Sequence, residues 1–198
     1  MTPLVVSYGL WGAWVASWMA AAVWTRRTAA RPALLDQAVH LIPTVIGAVL
    51  LFGGARVGAG GDYPSVGELR LWSLPVEAQW VLTAMVALGL VFTWWARILL
   101  GSLWSSAVGR KEGHTVVASG PYAIVRHPIY TGMLAGAFAL ALQLATPVSL
   151  IGAPLMGLGF WLKARLEERF LSDELGPEAY AAYRARTPML IPLWPVRG

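Results

Sequence analysis

The residues best suited to chemistry are concentrated in one stretch, His114 to Gly132, which reads HTVVASGPYAIVRHPIYTG. It contains two of the three histidines of the chain, two tyrosines, an Arg-His-Pro triplet and several turn-forming residues. The segments on either side are apolar enough to lie in lipid. Because unpaired polar groups are costly near a bilayer, this interruption indicates a binding site. The alternative is an ordinary interfacial loop with aromatic anchors and a snorkelling arginine.

A second group of charged residues lies further along the chain, where Lys163 and Glu167 share one helix face if the segment is helical. They are either a solvated ion pair at the end of a span or an acid and a base that line a polar pocket. Tyrosine rings suit an adenine ring or a cation, histidine and arginine suit a carboxylate, and Glu167 suits an ammonium group. These residue types therefore favour a zwitterionic, aromatic cofactor.

Other kinds of site are poorly supported by the sequence. His114 and His127 with Glu167 could ligate a metal, but no HExxH-like spacing occurs, so we predict no metal site. No nucleophile elbow for a serine triad is present. No GxGxxG follows a strand, which argues against a nucleotide held in a Rossmann fold.

The composition is that of an integral membrane protein. Of 198 residues, 57% are hydrophobic and only 13% are charged, against about 25% charged in a soluble domain. The mean hydropathy is +0.59, and there are 11 tryptophans. In such a chain the formal charge of +5 sets orientation and gives little reason to expect a nucleic-acid partner. Because there is no cysteine, disulfides and thiolate metal sites are excluded.

Hydropathy predicts an all-α protein with about five transmembrane helices. The predicted spans are Pro3–Trp24, Val39–Ala55, Gln79–Leu100, Ile129–Ala145 and Val148–Leu162. The last two form a helical hairpin over residues 129–162 that turns at Thr146-Pro147. Since the two ends of a hairpin are neighbours, we expect the central stretch to meet Lys163 and Glu167.

The C-terminal part reads as amphipathic. Gly176-Pro177 predicts a helix stop and restart, followed by a short helix that carries Tyr180 and Tyr183. This tail would lie at the membrane surface and cover a cofactor pocket. We therefore divide the chain into three N-terminal helices with their loops, residues 1–100, and a cofactor-binding region, residues 101–198.

The basic residues predict the orientation of the chain. With the spans assigned to alternate sides, all 15 Lys and Arg except Arg56 and Arg70 fall on one side. The positive-inside rule then predicts a multi-pass protein whose N-terminus is outside and whose central stretch and C-terminus are cytoplasmic.

Three sequence patterns in the second half of the chain carry a family resemblance. They are H-T-V-V-x-S-G-P-Y-x-x-V-R-H-P-x-Y-x-G, then E-E-x-F-L, then E-x-Y-x-x-Y-x-x-R-x-P. Together they resemble the isoprenylcysteine carboxyl methyltransferase family, integral membrane enzymes that use S-adenosyl-L-methionine. The resemblance covers about residues 101–194, and only the combination of patterns is specific.

The resemblance implies a set of site residues. The positions that match the family's cofactor contacts are His114, Thr115, Val116, Val117, Tyr122, His127, Pro128, Ile129, Tyr130 and Glu167. The family's substrate-contacting arginine falls on Lys163, which keeps the charge but loses the two-pronged grip on a carboxylate. Arg165 follows two residues later, offset by about 200° on a helix. The implied catalytic residue is therefore Lys163 or Arg165.

The implied reaction is methyl transfer from S-adenosyl-L-methionine to a lipophilic acceptor in the bilayer, with an isoprenylcysteine-type carboxylate expected. Three alternatives stay open from the residues alone. They are a phospholipid or small-amine N-methyltransferase, an NADPH-dependent enzyme similar to sterol reductases, and a non-catalytic membrane scaffold. Binding of S-adenosyl-L-methionine and NADPH, measured side by side, distinguishes them.

Overall fold

The computed structural model describes residues 1–22, 34–53, 69–101, 117–175 and 177–195. Within these ranges the chain forms seven α-helices and no β-strand, which confirms the predicted all-α class. In chain order they are α1 (Pro3–Ala21), α2 (Leu34–Gly53), α3 (Val76–Leu100), α4 (Pro121–Ile124), α5 (Pro128–Leu144), α6 (Pro147–Leu175) and α7 (Pro177–Arg184).

Four of the described helices, α1, α2, α3 and α6, are long and apolar enough to cross a membrane. Helix α5 is equally apolar but has only 17 residues. On α3, large apolar side chains such as Leu88, Val91 and Ile98 are exposed at the surface of the protein. A helix that is apolar all round needs lipid or protein on every side. The chain is therefore an all-α integral membrane protein.

The predicted hairpin is formed by α5 and α6, which are joined by a tight turn. Ala145 adopts a left-handed conformation (φ 56°) at the end of α5, and its amide donates to the carbonyl of Ala141 at 2.9 Å. The Thr146 hydroxyl then accepts from the amide of Ser149 at 3.2 Å, which caps the start of α6. Beyond the apolar part of the hairpin, α6 continues as one helix to Leu175. The helix therefore extends 13 residues beyond the predicted span Val148–Leu162.

Small residues allow the helices to pack closely in pairs. Where α2 crosses α6, a Cβ atom added to Gly152 would lie 2.7 Å from the carbonyl oxygen of Gly47. Where α3 crosses α5, Gly89 and Gly132 face each other in the same manner. Close backbone approach through small residues is typical of helix packing in membranes. These contacts fix the positions of α5 and α6 relative to the remaining helices.

Buried polar groups connect α1 to α3 and α5. The Ser7 hydroxyl donates to Oε1 of Gln143 at 2.8 Å, and Nε2 of Gln143 donates to the Thr83 hydroxyl at 3.1 Å. The indole of Trp14 donates to the Thr93 hydroxyl at 2.7 Å. Because such groups are costly in lipid unless paired, this network fixes the register of α1 against the other helices.

Candidate active site

The segment before α5 folds through the turns that its sequence predicts. Gly120 has a φ of 57°, a conformation that favours glycine, and Pro121 then starts the short helix α4. Pro128 starts α5 in the same way. His127 stands directly before α5, so its side chain lies at the end of the hairpin where the second half of α6 passes.

The C-terminal segment is hydrogen-bonded to this region through the backbone. The amides of Arg126 and His127 donate to the carbonyls of Pro188 (2.8 Å) and Met189 (3.1 Å). The Thr131 hydroxyl donates to the carbonyl of Leu190 at 2.6 Å. The tail therefore packs on the segment that precedes α5.

Two tyrosines attach α7 to α4. The Tyr183 hydroxyl donates to the carbonyl of Tyr122 at 2.7 Å, and both side chains are buried. Burial raises the pKa of Tyr183 to about 12. Burial, followed by the charge of Glu167, also raises the pKa of Tyr122. Both phenols therefore stay protonated at neutral pH.

The centre of the site is a histidine between two adjacent carboxylates of α6. Nδ1 of His127 lies 3.4 Å from Oε2 of Glu167, and Nε2 lies 3.2 Å from Oε1 of Glu168. Burial by itself would lower the pKa of His127, but the hydrogen bonds and charges of the two glutamates outweigh it, so the pKa is raised. An imidazolium at this position donates to both carboxylates.

Aromatic rings extend from this centre towards the core of the hairpin. The His127 ring stacks on Tyr130 (centroids 5.6 Å apart), and Tyr130 stacks on Phe160 (5.1 Å). The Tyr130 hydroxyl donates to Oε1 of Glu167 at 2.6 Å. Nζ of Lys163 lies 5.4 Å from the centroid of the Tyr130 ring. Tyr130 is thus in contact with a cation on its face and a carboxylate at its hydroxyl.

The two neighbouring glutamates have different surroundings. Glu168 is buried and accepts from Nε of Arg126 at 2.7 Å, while the same guanidinium donates to the carbonyls of Arg184 and Thr187. The Glu167 side chain is 22% exposed, against 6% for Glu168. Glu168 therefore joins the C-terminal segment to α6, whereas the Glu167 side chain is less enclosed.

The structure brings together the predicted site residues Tyr122, His127, Tyr130, Lys163 and Glu167. Pro128 and Ile129 form the adjacent first turn of α5. Val117 is half-buried at the start of a described range, whereas His114, Thr115 and Val116 lie outside the described residues. Arg165 is separate from the cluster: it is exposed, and its guanidinium lies 5.0 Å from the Trp161 ring.

His40 lies near the site, although the sequence gives no reason to place it there. A single histidine at the start of a predicted span is more often incidental than a ligand. His40 on α2 is buried and lies within electrostatic range of Lys163 and Glu167. It reaches this place because α2 packs on α6, where a Cβ added to Gly159 would lie 2.9 Å from the carbonyl oxygen of His40. Only the pairing of these two helices, which hydropathy does not encode, identifies it.

The region that builds this site matches a known family. Residues 81–173 match the sequence model of the isoprenylcysteine carboxyl methyltransferase (ICMT) family. The match covers just under half of the chain, and this part of the protein is similar to that family. The matched range includes α4, α5, nearly all of α6 and most of α3, and with them His127, Tyr130, Lys163 and both glutamates.

Curated relatives of the family region are moderately similar. The cobalt-zinc-cadmium resistance protein CzcN of Cupriavidus metallidurans is 32% identical over 118 residues, 59% of this chain and 53% of that protein. A protein-S-isoprenylcysteine O-methyltransferase of Xenopus laevis is 30% identical over 110 residues, 54% of this chain and 38% of the relative. Protein-S-isoprenylcysteine O-methyltransferase B of Arabidopsis thaliana is 31% identical over 86 residues, 43% of each protein. The chain thus spans about half the length of these relatives or less.

Proposed function

We propose that this protein is a membrane-embedded methyltransferase that transfers the methyl group of S-adenosyl-L-methionine to a carboxylate on a lipophilic acceptor. The observation that carries the proposal is the Glu167 carboxylate. It accepts a hydrogen bond from the Tyr130 hydroxyl at 2.6 Å and stands beside His127, and the Glu167 side chain is partly exposed. All three residues lie within the range that matches the family.

The donor set fits the cofactor. Glu167 supplies a carboxylate for an ammonium group, and a carboxylate has about four lone-pair positions, so the contacts with Tyr130 and His127 leave further acceptor capacity. The aromatic rings of Tyr122 and Tyr130 suit the adenosine and the sulfonium charge. His114, Thr115, Val116 and Val117, with Pro128 and Ile129, complete the proposed set through the family resemblance.

The proposed acceptor site is at Lys163, one turn before Glu167 on α6. Its ammonium group would hold an ionised carboxylate near the methyl group, while the lipid tail of the acceptor lies among the spans. Two of the relatives are named as protein-S-isoprenylcysteine O-methyltransferases, which supports a carboxylate acceptor. The third is named for metal resistance, and its name specifies no acceptor. Arg165 is a less suitable acceptor residue because it is stacked on Trp161, away from Tyr130.

The chemistry requires positioning rather than covalent help from the protein. The cofactor supplies a methyl group already activated by its positive sulfur. A carboxylate oxygen forms the new bond to that carbon, the bond to sulfur breaks, and its electron pair stays on sulfur. The products are a methyl ester and a neutral thioether, and no proton moves. Lys163 and Glu167 therefore act by orienting the two reactants and by excluding water.

The first prediction tests the cofactor site through Glu167→Gln, which keeps the shape of the side chain and removes its charge. Loss of one charge-assisted contact should weaken S-adenosyl-L-methionine binding by about 10- to 100-fold, or roughly 1.5–3 kcal/mol. Isothermal titration calorimetry on the purified protein in detergent measures this change.

The matched control is Glu77→Gln, the same substitution at an exposed position in the first turn of α3. It should bind the cofactor as the parent does. Equal affinity in Glu167→Gln and the parent would contradict the site. A parent protein that binds NADPH instead would favour the reductase-like alternative, and one that binds neither ligand would favour a scaffold.

A further inference from the structure

A pocket of about 580 Å³ opens on the face of α6 that carries Arg165 and Arg169. Helix α6 contributes residues spaced at helical intervals, and the C-terminal segment supplies the opposite wall. The lining residues are Trp161, Arg165, Glu168, Arg169, Ser172, Arg184 and Met189. Lys163 and Glu167 are absent from this lining, and Glu168 is the residue that the pocket shares with the centre of the candidate site.

The lining carries an excess of positive charge. Three guanidinium groups, of Arg165, Arg169 and Arg184, face one carboxylate among the described lining residues, that of Glu168. This carboxylate is already bound from the interior by Arg126 at 2.7 Å and lies 3.2 Å from His127. Arg184 also pairs with it, since Nε of Arg184 lies 3.6 Å from Oε2 of Glu168. The charge of Glu168 is therefore compensated within the protein, and Arg165 and Arg169 supply the excess positive charge that an anion would meet. Guanidinium groups match the oxygens of phosphate in two-pronged contacts.

The pocket lies where a membrane helix leaves the apolar region. Trp161 is close to the end of the apolar part of α6, and Arg165 stacks on it at 5.0 Å. Trp161 is 40% exposed, as expected for a ring at the level of lipid headgroups. Arg169 follows one turn later, and Ser172 adds a hydroxyl group. The arrangement thus presents an apolar wall towards the lipid and arginines towards the water.

We propose that this pocket binds a phosphate ester, and specifically the phosphate of an anionic phospholipid headgroup at the membrane surface. Its size lies within the range of small-ligand pockets, roughly 300–1,000 Å³. Arg165 and Arg169 contact the phosphate from α6, Arg184 contacts it from α7, and the acyl chains extend past Trp161 into the bilayer. Binding requires no methyl transfer and is measured without it.

The test is lipid retention by the detergent-solubilised full chain, measured by native mass spectrometry after incubation with phosphatidylglycerol or phosphatidylcholine. The parent should retain phosphatidylglycerol at least about tenfold more than phosphatidylcholine, and Arg169→Glu should reduce that retention by about tenfold or more. Arg186→Glu is the matched control because Arg186 is exposed just after α7, does not line the pocket and undergoes the same change of charge. Its retention should equal that of the parent.

Two additional arms complete the experiment. In the first, soluble glycerol phosphate is added as a competitor. If it displaces the lipid, the ligand is a free phosphate ester; if it does not, the ligand is the lipid. Arg169→Gln should give an intermediate loss, and unchanged thermal midpoints verify that the variants are folded. The proposal is overturned if Arg169→Glu retains lipid like the parent, if Arg186→Glu loses it equally, or if both lipids are retained alike. It is also overturned if Arg169→Glu loses S-adenosyl-L-methionine binding while lipid retention is unchanged.

Discussion

At the scale of single residues, Glu167 and Glu168 illustrate how neighbouring identical side chains acquire different roles. Adjacent positions on a helix point about 100° apart. Glu168 therefore faces Arg126 and the C-terminal segment, whereas Glu167 faces Tyr130 and Lys163. The sequence pattern E-E-x-F-L identifies the pair but not the division of roles. That division follows from the direction in which each side chain leaves α6.

Lys163 carries the second prediction, since it should serve the acceptor and not the cofactor. Lys163→Ala should leave S-adenosyl-L-methionine binding near that of the parent. It should lower transfer to a carboxylate acceptor by about 10- to 100-fold, because one charge-assisted contact is lost. Lys163→Arg should retain or increase transfer, since guanidinium grips a carboxylate with two prongs. Single-turnover methylation of a farnesylated cysteine analogue measures both effects.

Arg186→Ala serves as the control for Lys163, because it removes an exposed cation outside the site. Full activity of Lys163→Ala on every acceptor would contradict an acceptor role and make the lysine a simple ion-pair partner. An amine or phospholipid acceptor would then be favoured over a carboxylate.

The third prediction concerns pH and rests on His127, whose pKa is raised above 6.5 by the two glutamates despite its burial. A raised pKa in the folded state means that folding favours the protonated ring. The stabilisation is therefore complete below about pH 6.5 and is lost as the pH rises through the higher pKa of the folded protein. Thermal midpoints measured from pH 6 upwards should fall.

His127→Gln removes the titrating group and should flatten this pH dependence. It should be less stable than the parent at pH 6, and the difference should shrink as the pH rises. Parallel curves for the two proteins would exclude His127 as the titrating group.

At the scale of elements, the α5–α6 hairpin determines which residues meet. Its turn at Ala145 and Thr146 makes the two helices antiparallel, so His127 before α5 lies opposite the glutamates of α6. Hydropathy and turn residues predict this hairpin and the new helix that begins at Pro177. They also predict that the stretch His114–Gly132 meets Lys163 and Glu167. They do not predict that His40 on α2 approaches Lys163 and Glu167. That proximity depends on the packing of α2 on α6, and a one-dimensional pattern of apolar residues contains no such information.

The fourth prediction tests the packing of α2 on α6. In Gly152→Ala the new methyl group would lie 2.7 Å from a backbone oxygen and 2.8 Å from a backbone nitrogen of α2, so the helices must separate. We expect a loss of about 1–3 kcal/mol in the free energy of unfolding, typical of overpacking. Thermal unfolding in detergent measures the loss.

Gly12→Ala on α1 is the matched control, because a Cβ there meets nothing within 4 Å. It should leave stability unchanged or raise it by up to about 1 kcal/mol, as alanine favours a helix over glycine. A Gly152→Ala protein as stable as Gly12→Ala would show that α2 and α6 are less closely packed than the structure indicates.

At the scale of the whole molecule, the hairpin turn and the candidate site lie at opposite ends of the helices. The Leu71 amide donates to the Ala145 carbonyl at 2.8 Å, which joins the segment before α3 to the hairpin turn at one end. The site, the arginine-lined pocket and the C-terminal segment share the other end. Helix α3, with 25 residues and a length of about 37 Å, connects the two ends and is long enough to cross a bilayer.

The fifth prediction is that these two ends lie on opposite sides of the membrane, with the site in the cytoplasm. The chain has no cysteine, so single cysteines can be labelled without background. Leu71→Cys, at an exposed position, should react with a membrane-impermeant maleimide in intact cells. Ser119→Cys and Arg186→Cys, also exposed, should react only after permeabilisation. Most basic residues lie at the end that carries the site. We therefore expect this end to face the cytoplasm, since positively charged loops stay there. Labelling of all three from outside would contradict a crossing by α3, and the reverse pattern would place the site outside the cell.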